Sequence, residues 1–478
     1  MAKLSKKQIK ALSEKLALKP VTVWEKAGPK ERKEIWRLAE RYKDFLDRAK
    51  TERLSVEHIR GLAEKSGFAP LGKKSRSKKF YAEFQGKVIA LAVLGQRPPS
   101  AGLRLIGAHL DAPRLDLKMH PLYESQELAF LKTHYYGGIK KYHWLARPLA
   151  IHGVVCTKDG KKVEMHLGDE PDEPVFSLLD VSPHLGRKSQ SDKKVSDAFE
   201  AERMNLLIGG LPLEAAEGAG NNKVKLAVLA HLNEQYGITE ADLISAELEI
   251  VPAGKARDVG LDRSLIGAYA QDDRACAFAG LEAILHAASP EMTCLALMVD
   301  KEEIGSDGST SARSRFLELT VAGLLAAAGE DSSYLAICKS LAASQAVSAD
   351  VTGAFDPDFP EVHEKQNAAY LGHGVVLTKY TGSGGKYGAS DANAEYLAWI
   401  RRIWDEAEVV WQAAGMGKID EGGGGTIAKL LAVHGMEIVD AGPALLGLHA
   451  PFEITHKADI YSACEAFRAF FQAPARKY

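Results

Sequence analysis

Apolar positions in the first third of the chain recur at helical spacing over residues 4–17, 29–49 and 55–65. A 3.6-residue period predicts amphipathic helices there. Three strand-type segments follow, KFYAEFQ, KVIALAVLG and LRLIGAHLD. The last is apolar as far as His109, the pattern of a buried strand that ends at a site. Between about Tyr123 and Pro252 the texture changes. Short strand-like pieces (LAIHGVVC, KVEMHLG, VFSLLDV) alternate with polar loops such as GDEPDEP and GRKSQSDKKVSD, which predicts a separate strand-rich insertion. Beyond Pro252 a helix over 272–288 precedes the strand MTCLALMVD. A helix over 313–327, a strand AVSAD ending at Asp350 and a strand GVVLTKY come next. A helix over 392–413, the strand MEIVDAG and a helix over 458–471 complete the pattern. Strands alternating with helices predict an α/β fold with a mostly parallel central sheet flanked by helices.

At 478 residues the chain exceeds one ordinary domain. We divide it into a discontinuous domain of residues 1–119 and 254–478 and an insertion of residues 120–253. Hydrophobic and charged contents of 46% and 26% are those of a globular protein whose core needs no disulfide staples. The five cysteines show no CxxC spacing and four sit in apolar runs, so reduced, buried thiols and a reducing compartment are expected. A net charge of −2 exerts no general pull on nucleic acid or an acidic membrane. The run GKKSRSKKF at residues 72–80 is the local exception and reads as a solvated loop before a strand. The lysine-rich first twenty residues lack the apolar stretch of a secretory signal. No segment approaches the roughly 20 apolar residues that cross a bilayer. The expectation is a cytoplasmic protein with neither nucleic-acid nor membrane partners.

Ligands of open parallel sheets gather at the carboxyl ends of the strands, and the candidate donors fall there. His109 and Asp111 end LRLIGAHLD, Glu302 and Glu303 follow MTCLALMVDK, and Asp350 ends AVSAD. His449 follows MEIVDAG in GPALLGLHA, and Asp272 and Asp273 open a helix. Taken singly, each has an ordinary structural explanation: a helix cap, a hydrogen-bonded histidine, a solvated EE pair. Together they form a set of carboxylates and imidazoles that repel one another unless cations intervene. Oxygen and nitrogen donors without thiolate suit zinc, cobalt or manganese better than calcium. Two such ions can bind water and polarise an amide carbonyl, and a glutamate beside a liganding one can take the water's proton. Rival motifs (HExxH, GxSxG, GxGxxG, CxxC) are absent. The stretch Gly382-Ser-Gly-Gly-Lys386 fails as a phosphate loop, since Tyr387 stands where Ser or Thr would hold magnesium.

The segments GAHLDAPR, QDDRACAF, KEEIGSDGS, VSAD, KYGASDANAEY, GGGGTIAKLL and GLHAPFE run in order over nearly the whole chain. Together they resemble the aspartyl aminopeptidase and vacuolar aminopeptidase I family of cocatalytic zinc metallopeptidases. The resemblance implies a phosphorylase/hydrolase-like zinc peptidase fold whose β-rich insertion is a dimerisation domain. It implies two divalent ions, most simply zinc, with His109 and Asp350 on one, Glu303 and His449 on the other, and Asp272 bridging. Asp273, beside the bridge, is the ambiguity in that assignment. Glu302 would be the general base and Asp111 would orient His109. His184, in PHLGRK, would reach the active site of a dimer partner, and dimers would build a tetrahedral dodecamer. Lys386 and Tyr387 would line the substrate site. The substrates implied are peptides with free N-termini. Aspartyl-preferring relatives carry a His-Pro pair where this chain has Asp356-Pro357, so acidic and neutral or broad preferences both stay open. The glycines 422–425 would let the backbone pass close to substrate or to a helix, or simply give a pliant loop. Two other readings remain: a related cocatalytic hydrolase such as a deacylase or carboxypeptidase, and a non-catalytic peptide-binding shell.

Overall fold

The computed structural model describes residues 4–73, 77–214 and 221–476. Six strands and three helices position the site: β1 (Leu103–His109), β2 (Leu265–Ala268), β3 (Thr293–Val299), β4 (Gln345–Ser348), β5 (Glu437–Gly442) and β6 (Glu453–His456), with α1 (Pro29–Arg48), α2 (Gln271–Leu285) and α3 (Lys457–Gln472). A nine-stranded mixed sheet runs Ala69–Pro70, Lys79–Phe84, Val88–Val93, β3, β1, β4, β5, Val375–Thr378, Trp411–Ala413. The four inner strands β3, β1, β4 and β5 pair in parallel, and antiparallel pairing begins on either side of them. Every residue of β1 and β3 is buried, because helices cover both faces and alternate side chains enter different cores. Ile106, Ala108, Ala296 and Met298 pack with α1, α2 and α3. Leu103, Leu105, Leu295 and Leu297 pack with the helices Phe316–Ala327 and Tyr334–Ala342. The strand ends meet at one edge, and β1 delivers His109 there.

A second, seven-stranded sheet draws all its strands from residues 114–252 and pairs them antiparallel throughout. Its own core centres on Trp144, Leu149, Leu206 and Ile250. The segment also holds a helix, Lys223–Tyr236, where only strands and loops were expected; Val224 is its one buried residue, and Val228, Leu229, Leu232 and Tyr236 pack partly buried against the same core. The hairpin Arg114–Ser125 and Leu128–Tyr136 is likewise absent from the sequence-based pattern, and VFSLLDV shrinks to the strand Ser177–Leu178. A third sheet joins Arg257–Val259, β2, β6, Ala444–Leu446 and Thr352–Gly353.

Elsewhere the boundaries move for local reasons. The helix expected over 392–413 stops at Glu406 because Glu408 turns left-handed (φ 57°) and Trp411–Ala413 becomes a sheet-edge strand. All five cysteines are free thiols; Cys276, Cys294 and Cys464 are buried, Cys338 is half-buried and Cys156 exposed. Residues 74–76 of the basic run lie outside the described residues. Among the described residues no helix is long and apolar enough to cross a membrane.

Candidate metal centre

His109 closes β1, Asp272 and Asp273 open α2, Glu302 and Glu303 lie in a single turn after β3, Asp350 follows β4, and His449 lies in the loop before β6. Strand ends, a helix start and a loop therefore bring together residues more than three hundred positions apart in the chain. His109, Asp272 and Glu303 each offer a donor atom within 4.8 Å of the others, and so do His109, Asp273 and Asp350. The peptide bond between Asp272 and Asp273 is cis.

Both imidazoles aim the same atom at the same carboxylate. His109 Nε2 lies 3.3 Å from Asp272 Oδ1. His449 Nε2 lies 3.3 Å from Asp272 Oδ2 and 3.5 Å from Glu303 Oε2. The opposite nitrogens face acceptors. His109 Nδ1 is 3.0 Å from the Asp111 carbonyl oxygen and 3.3 Å from Asp111 Oδ1. His449 Nδ1 is 2.8 Å from the Gly138 carbonyl oxygen. Each Nδ1 must therefore carry a proton, which leaves each Nε2 lone pair pointed at a carboxylate oxygen. That arrangement is repulsive unless a proton or a cation sits between.

Charge crowding tells the same story. Burial opposes charge on His109, but Asp111 and Asp272 outweigh it and hold the imidazole well above its usual range. His449 is raised to about 10 against its burial, by Asp272 and Glu303. Asp272 is kept low despite its burial by the two imidazoles. Burial pushes Glu303 and Asp350 well up, with Asp272 adding to the first and Asp273 and Asp272 to the second. Burial also pushes Asp273 up, against the pull of His109. Among the described residues, the buried oxygens Asp272 Oδ1, Asp273 Oδ1 and Glu303 Oε1 have no hydrogen-bond partner. Orphaned, converging carboxylate oxygens beside two imidazole Nε2 atoms, each of which can exchange a proton for a metal ion, match the donor set of a transition-metal site.

Supporting residues complete the cage. Asp111 accepts hydrogen bonds from the backbone N–H of Glu302 (3.0 Å) and Glu303 (3.1 Å) and from the Tyr136 hydroxyl (2.9 Å). Tyr136 is covered by the Arg114 guanidinium, 3.9 Å above its ring. Gly137 and Gly138 follow at once; a Cβ on Gly138 would crowd His449 Nδ1 at 3.3 Å, and Gly137 has a φ of +73° that favours glycine. Glu453 accepts from the N–H of both Asp272 (3.1 Å) and His449 (2.7 Å), and burial with the Asp272 charge pushes its carboxyl up to about 8. Tyr136, Gly138 and Glu453 were not singled out from sequence. Glu453 stood inside the recognised GLHAPFE segment and YYGG in a stretch with no element assigned from sequence, and neither pattern announces chemistry.

The remaining candidates sit apart. His184 is solvent-exposed on its loop, and among the described residues nothing joins it to the cluster within one chain. Lys386 and Tyr387 are exposed; the Lys386 ammonium pairs with Asp391 (3.0 Å) and lies 4.0 Å above the Tyr380 ring. Their loop is gripped by the glycines 422–425: Gly382 N–H donates to the Gly424 carbonyl at 2.6 Å, and a Cβ on Gly423 (φ +115°) would stand 2.1 Å from the Gly382 oxygen. Those glycines thus pass close to another loop rather than to a helix. Asp356 accepts the Asp358 N–H within its own turn (2.9 Å).

Residues 45–471 match the family described as "Aminopeptidase I zinc metalloprotease (M18)". A "Probable M18 family aminopeptidase 1" of Clostridium acetobutylicum is 48% identical over 454 residues, 94% of this chain and 97% of that one. The crystal structure of an M18-family aminopeptidase from Thermotoga maritima superposes with a TM-score of 0.90 at 44% identity, covering 95% of this chain and 99% of that one. The S. cerevisiae mApe1 dodecamer, 22% identical with a TM-score of 0.73 over 91% of this chain and 96% of that one, shares the fold.

Proposed function

This chain belongs to the aminopeptidase I zinc metalloprotease (M18) family, and from that premise we propose that it is a dinuclear metalloaminopeptidase cleaving the N-terminal peptide bond of peptides. The observation that carries the dinuclear reading is Asp272, whose two oxygens face two different imidazole Nε2 atoms at 3.3 Å each. On this reading Asp272 bridges, His109 and Asp350 hold one ion, and Glu303 and His449 hold the other. Asp273 shares a possible donor group with His109 and Asp350, whereas Asp272 faces both imidazoles, which favours Asp272 as the bridge. The nitrogen and oxygen donor set suits zinc, with cobalt or manganese as substitutes. Divalent ions there supply Lewis acidity toward a peptide carbonyl and toward water.

The protein's own groups do the rest. Asp111 holds the His109 ring by Nδ1, so that Nε2 is the atom offered to an ion. Glu302 is mostly buried next to the cluster; burial pushes its carboxyl up, and Asp111 and Asp272 add to this against the pull of His109. A carboxylate so placed accepts the proton of the attacking water and returns it to the leaving amine. Lys386 and Tyr387 bind the substrate peptide, with a neutral or broad N-terminal preference as plausible a reading as an acidic one. Residues 120–253 form a dimerisation domain inserted in a catalytic domain of residues 1–119 and 254–478, and exposed His184 reaches the partner's site. Dimers assemble into a dodecamer like that of the yeast relative. A cytoplasmic location accords with five free cysteines.

The test is a panel of aminoacyl and dipeptide substrates assayed with zinc, cobalt and manganese. Free N-terminal amino acids should appear, vanish on chelation or on N-acetylation of the substrate, and return with metal. Glu302→Gln should lower kcat by about 10²–10⁴ while metal content stays at wild type. Preferential cleavage of N-acylated or C-terminal substrates would point to a deacylase or carboxypeptidase. Full activity in Glu302→Gln would remove the base.

A further inference from the structure

Glu453 opens β6, and the register of β6 with β2 sets it opposite Ala268. Four residues beyond Ala268 the chain reaches Asp272, so the strand pair holds Glu453 beside the entry to α2. Its carbonyl oxygen accepts the Gln271 side-chain amide at 2.7 Å. Its carboxylate does something less usual. Oε2 accepts the N–H of Asp272 at 3.1 Å and Oε1 accepts the N–H of His449 at 2.7 Å. One fully buried side chain thus clamps the backbone of two residues whose side chains face each other at 3.3 Å. His449 needs the clamp, because its φ of 62° is a conformation that non-glycine residues seldom hold unaided.

Only a carboxylate can do this. The two N–H donors here meet separate oxygens, and a glutamine of the same shape turns an NH₂ toward one of them. A further buried carboxyl group beside Asp272 and Glu303 is a cost that a merely space-filling residue would not impose. We propose that Glu453 is a positioning residue that sets the distance between Asp272 and His449 and thereby couples occupancy of the two halves of the metal site. The proposal rests on the two-ion reading above.

The experiment is zinc titration of metal-free wild type and Glu453→Gln by calorimetry, with metal content measured after dialysis against buffered zinc. At zinc concentrations that saturate two sites in the wild type, Glu453→Gln should retain one ion, and its affinity on the His449 side should fall at least about tenfold. Melting curves in chelator should stay within a few degrees of each other, which separates positioning from a general structural role. If Glu453→Gln does not fold, Glu453→Asp serves: its shorter side chain keeps two acceptors but spans only one donor at a time, and one-ion binding is again expected. Wild-type affinity for two ions in the folded variant overturns the proposal. A wild-type protein that itself binds fewer than two ions sinks the underlying site reading instead.

Discussion

His109 and His449 present the same atom to the two oxygens of one carboxylate, yet they arrive by different routes. His109 ends an inner strand of the nine-stranded sheet and is buried. Its Nδ1 rests on Asp111, which is itself held by two backbone amides and the Tyr136 hydroxyl. His449 lies in a loop, its side chain 32% exposed, its backbone left-handed. Its Nδ1 rests on a carbonyl oxygen, that of Gly138. One half of the site is built into the sheet; the other is assembled from loops. The residues 136–138 nonetheless serve both, since Tyr136 supports the His109 side and Gly138 the His449 side. They end a strand of the seven-stranded sheet, so that sheet bears on the cluster even though every donor comes from outside it.

The largest way to break this contrast is to remove each imidazole in turn. His109→Ala leaves Asp111, Asp272 and Asp273 buried without their shared cation, and the chelated protein should lose about 3–5 kcal/mol. His449→Ala opens a partly solvated position, and the chelated protein should change by no more than about 1 kcal/mol. Denaturant unfolding in chelator measures both. Equal losses would mean that the two halves are equally built into the fold.

A smaller and sharper test separates the supports. Tyr136→Phe deletes the hydroxyl on Asp111 and should cost about tenfold in metal affinity, on the His109 side. Gly138→Ala places a methyl 3.3 Å from His449 Nδ1, a contact the ring must yield to, and should weaken the other side only. Site-resolved metal titration reads both. Identical loss patterns would merge the two halves.

How much of this could be read beforehand follows the same division. His109, Glu302, Glu303 and Asp350 were legible because each follows an apolar run whose interior position in a sheet is a consequence of composition. The helices over 29–49 and 55–65 were legible from a clear one-sided period. The helix Lys223–Tyr236 was not, because Leu226 and two alanines blur the face formed by Val224, Val228, Leu232 and Tyr236, and only Val224 is fully buried. The hairpin ending at Tyr136 carries a period-2 signal in RLDLKMH, but its second strand, LAFLKTHYY, shows none. Tyr136, Gly138 and Glu453 act through register and loop approach, quantities set by tertiary pairing and carried by no local pattern. The sheet-borne half of the site could be found from sequence, and most of the supports of the loop-borne half could not.

The smallest expected effect is a pH slope, and it too should differ between the halves. In metal-free protein Glu453 is raised to about 8 and His449 to about 10. Both pKa values lie above those of the unfolded chain, so the folded protein keeps protons that the unfolded one releases. The stabilisation from His449 is then complete below about pH 6.5 and is lost as pH climbs toward 10, while Glu453 adds a decline between about pH 4.5 and 8. Metal binding runs the other way, since it requires unprotonated Nε2 atoms and ionised carboxylates. Unfolding followed in chelator should therefore show stability falling from pH 5 to 9, and saturating zinc should flatten that fall. His449→Ala should remove only the upper part of the slope, no more than about 1 kcal/mol in all because solvent screens its exposed edge. A slope unchanged in that variant would place the titrating proton on the buried His109 side, and the loop-borne half would no longer be the pH-sensitive one.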